Sequence, residues 1–88
     1  MKTDFTAPFD KDVSKIISAN IIEKIEHAIL NVENALSIRN IHRLKKLKGY
    51  RIHYRIRTGD YRIGITIEGD MVTFLRCLPR KDFYKYFP

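Results

Sequence analysis

The chain has 88 residues, 44% of them hydrophobic, and a formal net charge of +7. This length accommodates one hydrophobic core, and the hydrophobic content argues against disorder. Apolar runs are far shorter than the ~20 residues of a membrane span, and the single cysteine, Cys77, excludes an internal disulfide and a cysteine-based zinc site. We therefore expect one soluble, cytoplasmic domain over residues 1–88, with no membrane contact and with Cys77 as a small buried hydrophobe.

The charge is unevenly distributed along the chain. Residues 1–40 contain five Lys/Arg and six Asp/Glu, for a net charge of −1, whereas residues 41–88 contain twelve Lys/Arg and four Asp/Glu, for a net charge of +8. A concentrated positive charge is typical of proteins that contact nucleic acid or another polyanion. The second half of the chain is therefore the expected binding half.

The first half predicts a helical hairpin. Apolar residues at helical spacing indicate a first helix from about Pro8 to Ser18, and Pro8 suits its first turn. Asn20 followed by Glu23 resembles a capping box that opens a second helix. The apolar stripe of this second helix consists of Ile22, Ile25, Ile29, Val32 and Leu36.

The second half predicts four strands and a short helix. Glycines at positions 49, 59 and 69 mark the turns between strands, and Pro79 ends the last strand. Short connections favour an antiparallel sheet, with the helices packed on one face. The predicted class is therefore α+β, in the order ααββββα. The four strands are expected at 41–48, 50–57, 61–67 and 71–78, and the last helix at 80–87.

The second predicted strand, YRIHYRIR, contains a basic residue at every second position. Because successive side chains of a strand point to opposite faces, one face would pack and the other would carry only cationic groups. Such a face is often only a solvated or edge-protecting surface, and that interpretation stays open. The basic positions are Arg51, His53, Arg55 and Arg57.

Three further residues are expected near this basic face. The hairpin at Gly59 can bring Arg62 beside it, and Arg80 can reach the same concavity, with Tyr84 one helical turn later. Guanidinium groups bind phosphate oxygens and stabilise charge that develops during phosphoryl transfer, while histidine can transfer a proton near neutral pH. The acidic residues lie singly, so we expect no metal site and no cofactor. The pattern suits cleavage of a phosphodiester by the 2′-hydroxyl of RNA.

The segments LKKLKGYRIHYRIRTGDYRIGI and RKDFYKYF resemble the RelE/ParE superfamily of bacterial and archaeal toxins, over nearly the whole chain. The resemblance implies a RelE-like fold, with a helical hairpin on a four-stranded antiparallel sheet and a short C-terminal helix. It implies one of two activities, since the superfamily contains ribosome-dependent mRNA endonucleases and gyrase poisons. Gyrase-poisoning relatives generally lack the full catalytic set. Here the matching positions are His53, Arg55, Arg62, Arg80 and Tyr84.

Two positions depart from the family pattern. His53 lies where a lysine is common, and Pro79 lies where many relatives carry a histidine. The general base is therefore left open between Tyr84 and His53, with Tyr86 as an alternative to Tyr84 because the spacing from Arg80 varies between relatives.

The resemblance implies a toxin of a type II toxin–antitoxin system that inhibits translation by metal-free endonucleolytic cleavage of mRNA on the ribosome. The alternatives are a non-enzymatic gyrase poison and a degenerate toxin homologue that only binds RNA. A cognate antitoxin, acidic and partly disordered, would complement the basic half. The residues expected to contact the RNA backbone are Lys45, Lys46, Lys48, Arg51 and Arg57.

Overall fold

A five-stranded mixed sheet forms the centre of the computed structural model, which describes residues 1–88. The strand order is β1-β5-β4-β3-β2, in which β1 is parallel to β5 and the other pairs are antiparallel. The elements are β1 (Lys2–Phe5), α1 (Ala7–Ser14), α2 (Ala19–Asn34), a 3₁₀ helix (Ile38–Asn40), β2 (Leu44–Lys46), β3 (His53–Thr58), β4 (Tyr61–Glu68), β5 (Met71–Pro79) and α3 (Arg80–Tyr86). The predicted α+β class is confirmed.

The sheet has one strand more than the four predicted. The additional strand, β1, is four residues long and pairs with β5 alone, from Lys2 opposite Met71 to Phe5 opposite Phe74. Three of its four residues are exposed. A short edge strand of this kind shows little hydrophobic alternation, so the sequence gives no clear sign of it.

The helices begin and end at other residues than predicted. α1 ends at Ser14, and the N-cap of α2 is Ser18, whose hydroxyl accepts a hydrogen bond from the Ile21 amide at 3.3 Å. The predicted capping role of Asn20 is therefore wrong, because serine two positions earlier already provides the acceptor. α2 ends at Asn34, so Leu36 lies beyond it and is 95% exposed.

The basic strand also starts later than predicted. Residues 50–52 form a bend, and β3 begins at His53. Leu47 donates its backbone N–H to the carbonyl of His53, and Gly49 adopts a φ of +85° in the connecting turn. Tyr50 is consequently exposed, although the sequence predicts it on the packing face.

Helices cover both faces of the sheet. A main cluster of twelve buried residues, among them Val32, Ile63 and Phe74, joins the sheet to α1 and α2. A smaller cluster of Leu47, Phe83 and Phe87 lies under α3. Phe87 packs over Gly64 on β4, whose two strand neighbours belong to the main cluster, so α3 lies on the face away from α1 and α2. The predicted arrangement with all helices on one face is wrong.

A buried carboxylate closes the edge of β5 where β1 ends. The Asp12 carboxylate on α1 accepts hydrogen bonds from Nε and Nη2 of Arg76 at 2.7 and 3.1 Å and from the Cys77 amide at 3.0 Å. Cys77 is 1% exposed, which confirms it as a buried hydrophobe, and burial followed by the Asp12 charge raises the pKa of its thiol to about 12. The strand register places Arg76 on the same face of the sheet as Arg55, but Asp12 neutralises its charge.

No helix in the structure combines the length and the apolar composition that crossing a membrane requires.

The contact between Gly64 and Phe87 generates a first prediction. A Cβ added at Gly64 would lie 2.6–2.8 Å from three ring carbons of Phe87. We expect Gly64→Ala to lower the free energy of unfolding by about 1–3 kcal/mol, because the ring must move. In a Phe87→Ala background the same change should cost clearly less, as measured by urea denaturation of the double-mutant cycle. Equal costs in both backgrounds would contradict the contact.

A second prediction concerns alkaline pH. Burial raises the pKa of the Cys77 thiol from its ordinary value of 9.0 to about 12 in the folded protein. Between these values the unfolded chain loses the proton and the folded chain keeps it, so stability falls as pH rises above 9, by up to about 1.4 kcal/mol per pH unit. Urea denaturation between pH 8 and 10.5 should show a shallower decline for Cys77→Ala. Parallel declines would contradict the assignment.

Candidate functional site

The β3–β4 hairpin aligns the basic residues of two strands. Gly59, with a φ of +60°, and Asp60 form the two-residue turn, and positive φ at this position is what glycine provides. The turn fixes the register so that Arg57 lies directly opposite Arg62 and Arg55 opposite Gly64. The structure thus places Arg62 beside the basic face of β3, as the sequence predicts.

Arg62 is held by neutral acceptors. Its side chain is only 8% exposed, and Nη1 donates to the carbonyl oxygens of Gly59 and Tyr61, both at 2.9 Å. Its other two guanidinium nitrogens make no hydrogen bond within the protein, and no carboxylate pairs with it. Carbonyl oxygens fix the position of the guanidinium without cancelling its charge.

The start of α3 is tied to the same turn. The backbone amide of Arg80 donates to the carbonyl of Asp60 at 2.7 Å, which places Arg80 next to the hairpin end that carries Arg62. Tyr84 follows one helical turn later, is 62% exposed, and stacks edge-on against Phe83 with a centroid distance of 4.9 Å. Arg80 and Tyr84 therefore lie on the exposed side of α3, while Phe83 is buried.

The electrostatics of Arg62 show which side chains lie close enough to interact. Burial lowers its pKa, and the positive charges of Arg55, Arg80 and Arg57 lower it further, while Tyr84 acts in the opposite direction. An arginine remains protonated at neutral pH despite such effects. We refer to Arg55, Arg57, Arg62 and Arg80 as the arginine cluster.

Arg55 offers an unpaired donor in this cluster. Its Nη1 donates to the carbonyl of Arg43 at 3.2 Å, whereas its Nε is buried without any hydrogen-bond partner. Most buried polar atoms of folded proteins are paired, so an orphaned guanidinium nitrogen is a feature to explain. Because this nitrogen is inaccessible to solvent, an anion at the cluster would contact Arg55 through Nη2, which makes no hydrogen bond within the protein.

His53 lies at the start of β3, beside the cluster. It is two residues before Arg55 and on the same face of the strand, or about 7 Å along it. Its ring contacts Tyr50 and Phe87, with centroid distances of 5.3 and 5.8 Å. Four of the five predicted catalytic residues are thus Arg62 and residues that act electrostatically on it, and the fifth, His53, lies next to Arg55 in an aromatic contact.

The predicted RNA-contacting residues divide between two faces. Lys45 lies opposite Arg55 and shares its face, whereas Lys46 lies opposite Tyr54 and points to the other side of β2. Lys48 and Arg51 lie in the segment between β2 and β3. All four are exposed, as is Arg57.

The cationic side chains are almost entirely unpaired. Among 17 Lys/Arg and ten Asp/Glu residues, the pair Arg76–Asp12 is the only salt bridge in the structure. The structure also contains no group of three or more His, Cys, Asp and Glu residues suited to hold a metal ion. The arrangement is that of an anion-binding surface.

One contributor to this surface has no clear sequence signal. Arg43 adopts a φ of +58°, which is unusual for a residue other than glycine. Its carbonyl accepts hydrogen bonds from Nη1 of Arg55 and from the backbone amide of Arg57. Arg43 thus positions two members of the cluster, and the sequence predicts only an ordinary strand residue there.

Comparison with known proteins identifies the family. Residues 4–84 match the family model of the ParE toxin of type II toxin–antitoxin systems, parDE. The chain is 43% identical over 89 residues to Toxin RelE3 of Methanocaldococcus jannaschii, and the match covers both chains fully. The chain belongs to the RelE/ParE superfamily of type II toxins. The family predicted from the sequence motifs is confirmed.

Solved structures of RelE/ParE toxins share the fold. The RelB–RelE antitoxin–toxin complex from Methanococcus jannaschii matches with a TM-score of 0.81 and 40% identity, covering 97% of this chain and 99% of that chain. The RelE–RelB complex from Pyrococcus horikoshii OT3 matches with a TM-score of 0.71 over 90% and 93% of the two chains. Its identity is 20%, so it supports the fold alone. The RelE-like fold predicted from the sequence is confirmed.

The opposition of Arg57 and Arg62 in this toxin generates a prediction. Like charges directly opposite in a sheet destabilise it, and salt screens them. We expect the free energy of unfolding to rise with NaCl between 0.05 and 0.5 M, and Arg57→Gln to reduce that rise by about 0.2–1 kcal/mol. Lys11→Gln, an equal change of charge at an exposed residue of α1, is the control in urea denaturation. Identical salt dependence of both variants would contradict repulsion at this pair.

Proposed function

We propose that this toxin is an endoribonuclease that cleaves mRNA on the ribosome. The observation that supports this most is the arginine cluster, in which Arg62 is buried, fixed by carbonyl oxygens and free of any carboxylate. Several guanidinium groups without acidic partners form a suitable site for a phosphodiester, both in its ground state and when further negative charge develops on it.

The reaction we propose uses the RNA's own 2′-hydroxyl. The 2′-oxygen attacks the adjacent phosphorus, so that a P–O2′ bond forms and the P–O5′ bond breaks. One group takes the proton of the 2′-hydroxyl, and another gives a proton to the departing 5′-oxygen. The products are a 2′,3′-cyclic phosphate and a free 5′-hydroxyl, and no other reactant is consumed.

Each residue of the site has a proposed role. Arg55, through Nη2, and Arg62, through its two free nitrogens, orient and neutralise the scissile phosphate. Arg80, on the exposed side of α3, stabilises the charge of the transition state. The exposed residues Lys45, Lys46, Lys48, Arg51 and Arg57 contact the RNA backbone.

Tyr84 is the proposed proton-transfer residue. Its charge interaction with Arg62 indicates that the phenol lies near the cluster, whereas the ring of His53 contacts Tyr50 and Phe87. The Tyr84 side chain is exposed, and a phenolic hydroxyl can both donate and accept a proton. The exposed Tyr86 stays the alternative if Tyr84 proves dispensable.

A cognate antitoxin is the proposed regulatory partner, and the ribosome and its mRNA are the proposed target, which implies a cytoplasmic location. Two of the solved relatives are complexes of RelE with RelB. An acidic, partly disordered partner would complement the +8 charge of residues 41–88 and cover the arginine cluster.

Gyrase poisoning is the second candidate function, because the matching family model is that of the ParE toxin. A gyrase poison requires a surface that binds the enzyme but no proton-transfer residue beside a phosphate site. The combination of Tyr84 with the arginine cluster therefore favours RNA cleavage.

The ribosome assay gives the decisive prediction. A reporter mRNA is translated in a purified system with the toxin, and new 5′ ends are mapped by primer extension. We expect ribosome-dependent cuts in phase with codons, and a rate reduced about 10²–10³-fold by Arg62→Ala or Arg80→Ala, in line with the loss of one charge-stabilising donor. Tyr84→Phe should lower the rate strongly and His53→Ala less than about tenfold.

Lys11→Gln is the matched control, since it removes one charge from an exposed position on α1. Intact mRNA together with trapped gyrase–DNA complexes would replace the proposal by gyrase poisoning. Intact mRNA with RNA binding alone would indicate a toxin that has lost turnover.

A further inference from the structure

A second basic surface lies on the other side of β3. A groove of about 460 Å³ runs between α2 and the end of β3 that leads into the β3–β4 turn. No acidic residue lines it. We call it the basic groove, and its polar lining includes Lys24, His27, His42, Arg43, Arg57 and Thr58.

We propose that the basic groove is a second RNA-binding site, which holds the phosphate backbone of a structured RNA away from the bond that is cut. This inference rests on the proposed function only in that it takes the partner to be RNA. The groove itself is defined by its own residues and needs no catalytic step.

The groove carries an unpaired polar group at its wall. The Thr58 hydroxyl is buried without a hydrogen-bond partner, and its residue is 4% exposed. A hydroxyl that could bond to water in the unfolded chain loses free energy when it is buried unpaired. Because the hydroxyl oxygen is inaccessible from the groove, Thr58 contributes a polar wall and no direct ligand contact.

Arg43 lines the groove, and its backbone is strained. Its φ of +58° is a conformation that glycine adopts without cost. The loop around it is fixed by Asn31 on α2, which donates to the carbonyl of Asn40 at 3.2 Å and accepts from the amide of His42 at 2.9 Å. These contacts hold two cationic or titratable side chains, His42 and Arg43, at the groove.

The groove and the arginine cluster are continuous. β2 begins at Leu44 opposite Ile56, and the backbone amide of Arg57 donates to the carbonyl of Arg43, so this hydrogen bond extends the pairing by one residue. Arg57 lies at this edge of the sheet, lines the groove and also acts electrostatically on Arg62. A nucleic-acid backbone that leaves the cluster can therefore pass around this edge. An acidic protein segment would need only scattered contacts, whereas a continuous track without acidic residues suits evenly spaced phosphates.

Two variants remove the charge of the groove in different ways. Arg43→Gly removes the cation and relieves the backbone, so we expect its melting temperature to equal or exceed that of the wild type. Lys24→Gln removes a cation from the exposed face of α2. Lys11→Gln on α1 has the same charge change outside the groove.

The test measures binding of a fluorescent RNA hairpin that is fully 2′-O-methylated and so cannot be cut through a 2′-hydroxyl. We expect Arg43→Gly and Lys24→Gln each to raise Kd by about 3–10-fold and to reduce the slope of log K against log[NaCl] by about 1. Lys11→Gln should change Kd less than twofold.

The inference is overturned if both groove variants bind the hairpin as tightly as Lys11→Gln. It is also overturned, in favour of an acidic protein segment, if they lose affinity for polyglutamate and keep it for RNA. Neither result depends on catalysis, since the proposed endonuclease activity is read separately from Arg62→Ala on ribosomes.

Discussion

The functional surface depends on how Arg62 is held. A buried guanidinium needs hydrogen-bond acceptors, and most arginines of this kind pair with a carboxylate. Here the acceptors are the carbonyls of Gly59 and Tyr61, which fix the side chain but leave its charge uncompensated. Arg76 shows the alternative on the neighbouring strand, since the Asp12 carboxylate binds it at 2.7 Å and neutralises it. The charge of the first arginine stays uncompensated within the protein, and the second stabilises the sheet.

This arrangement makes demands on the rest of the fold. The β3–β4 turn must direct the carbonyl of Gly59 toward Arg62. The amide of Arg80 must also donate to the carbonyl of Asp60, so that α3 starts beside the hairpin. Phe87 then packs over Gly64, where no side chain larger than hydrogen fits. Hydrophobic burial under α3 therefore offsets the repulsion among the arginines. Phe87 packs over Gly64 on the same face of the sheet that carries Arg55 opposite Gly64.

Much of the fold is predictable because its main signals are local. The glycine turns, the alternation in β4 and the helical spacing in α2 each lie within a few residues, and they give the α+β class and the place of Arg62. The strand β1 escapes prediction because it is short, polar and paired with a strand about 70 residues away. The sequence could not indicate that α3 covers the opposite face, because this depends on the contact that Phe87 makes with Gly64 in the folded chain. The aromatic contact of His53 is likewise a tertiary fact, since Phe87 at the end of the chain contacts its ring.

The basic groove, like the arginine cluster, carries cationic side chains without acidic partners, and it lies on the other face of the sheet. Arg57 lines the groove and acts electrostatically on Arg62, so it belongs to both surfaces. Arg43 connects them from the backbone, because its carbonyl orients Arg55 and the amide of Arg57 while its side chain lines the groove. Glycine at this position would relieve the strain and keep the carbonyl, but it would remove the cationic side chain from the groove. Folding alone does not explain a φ of +58° at an arginine, because glycine adopts this conformation without strain.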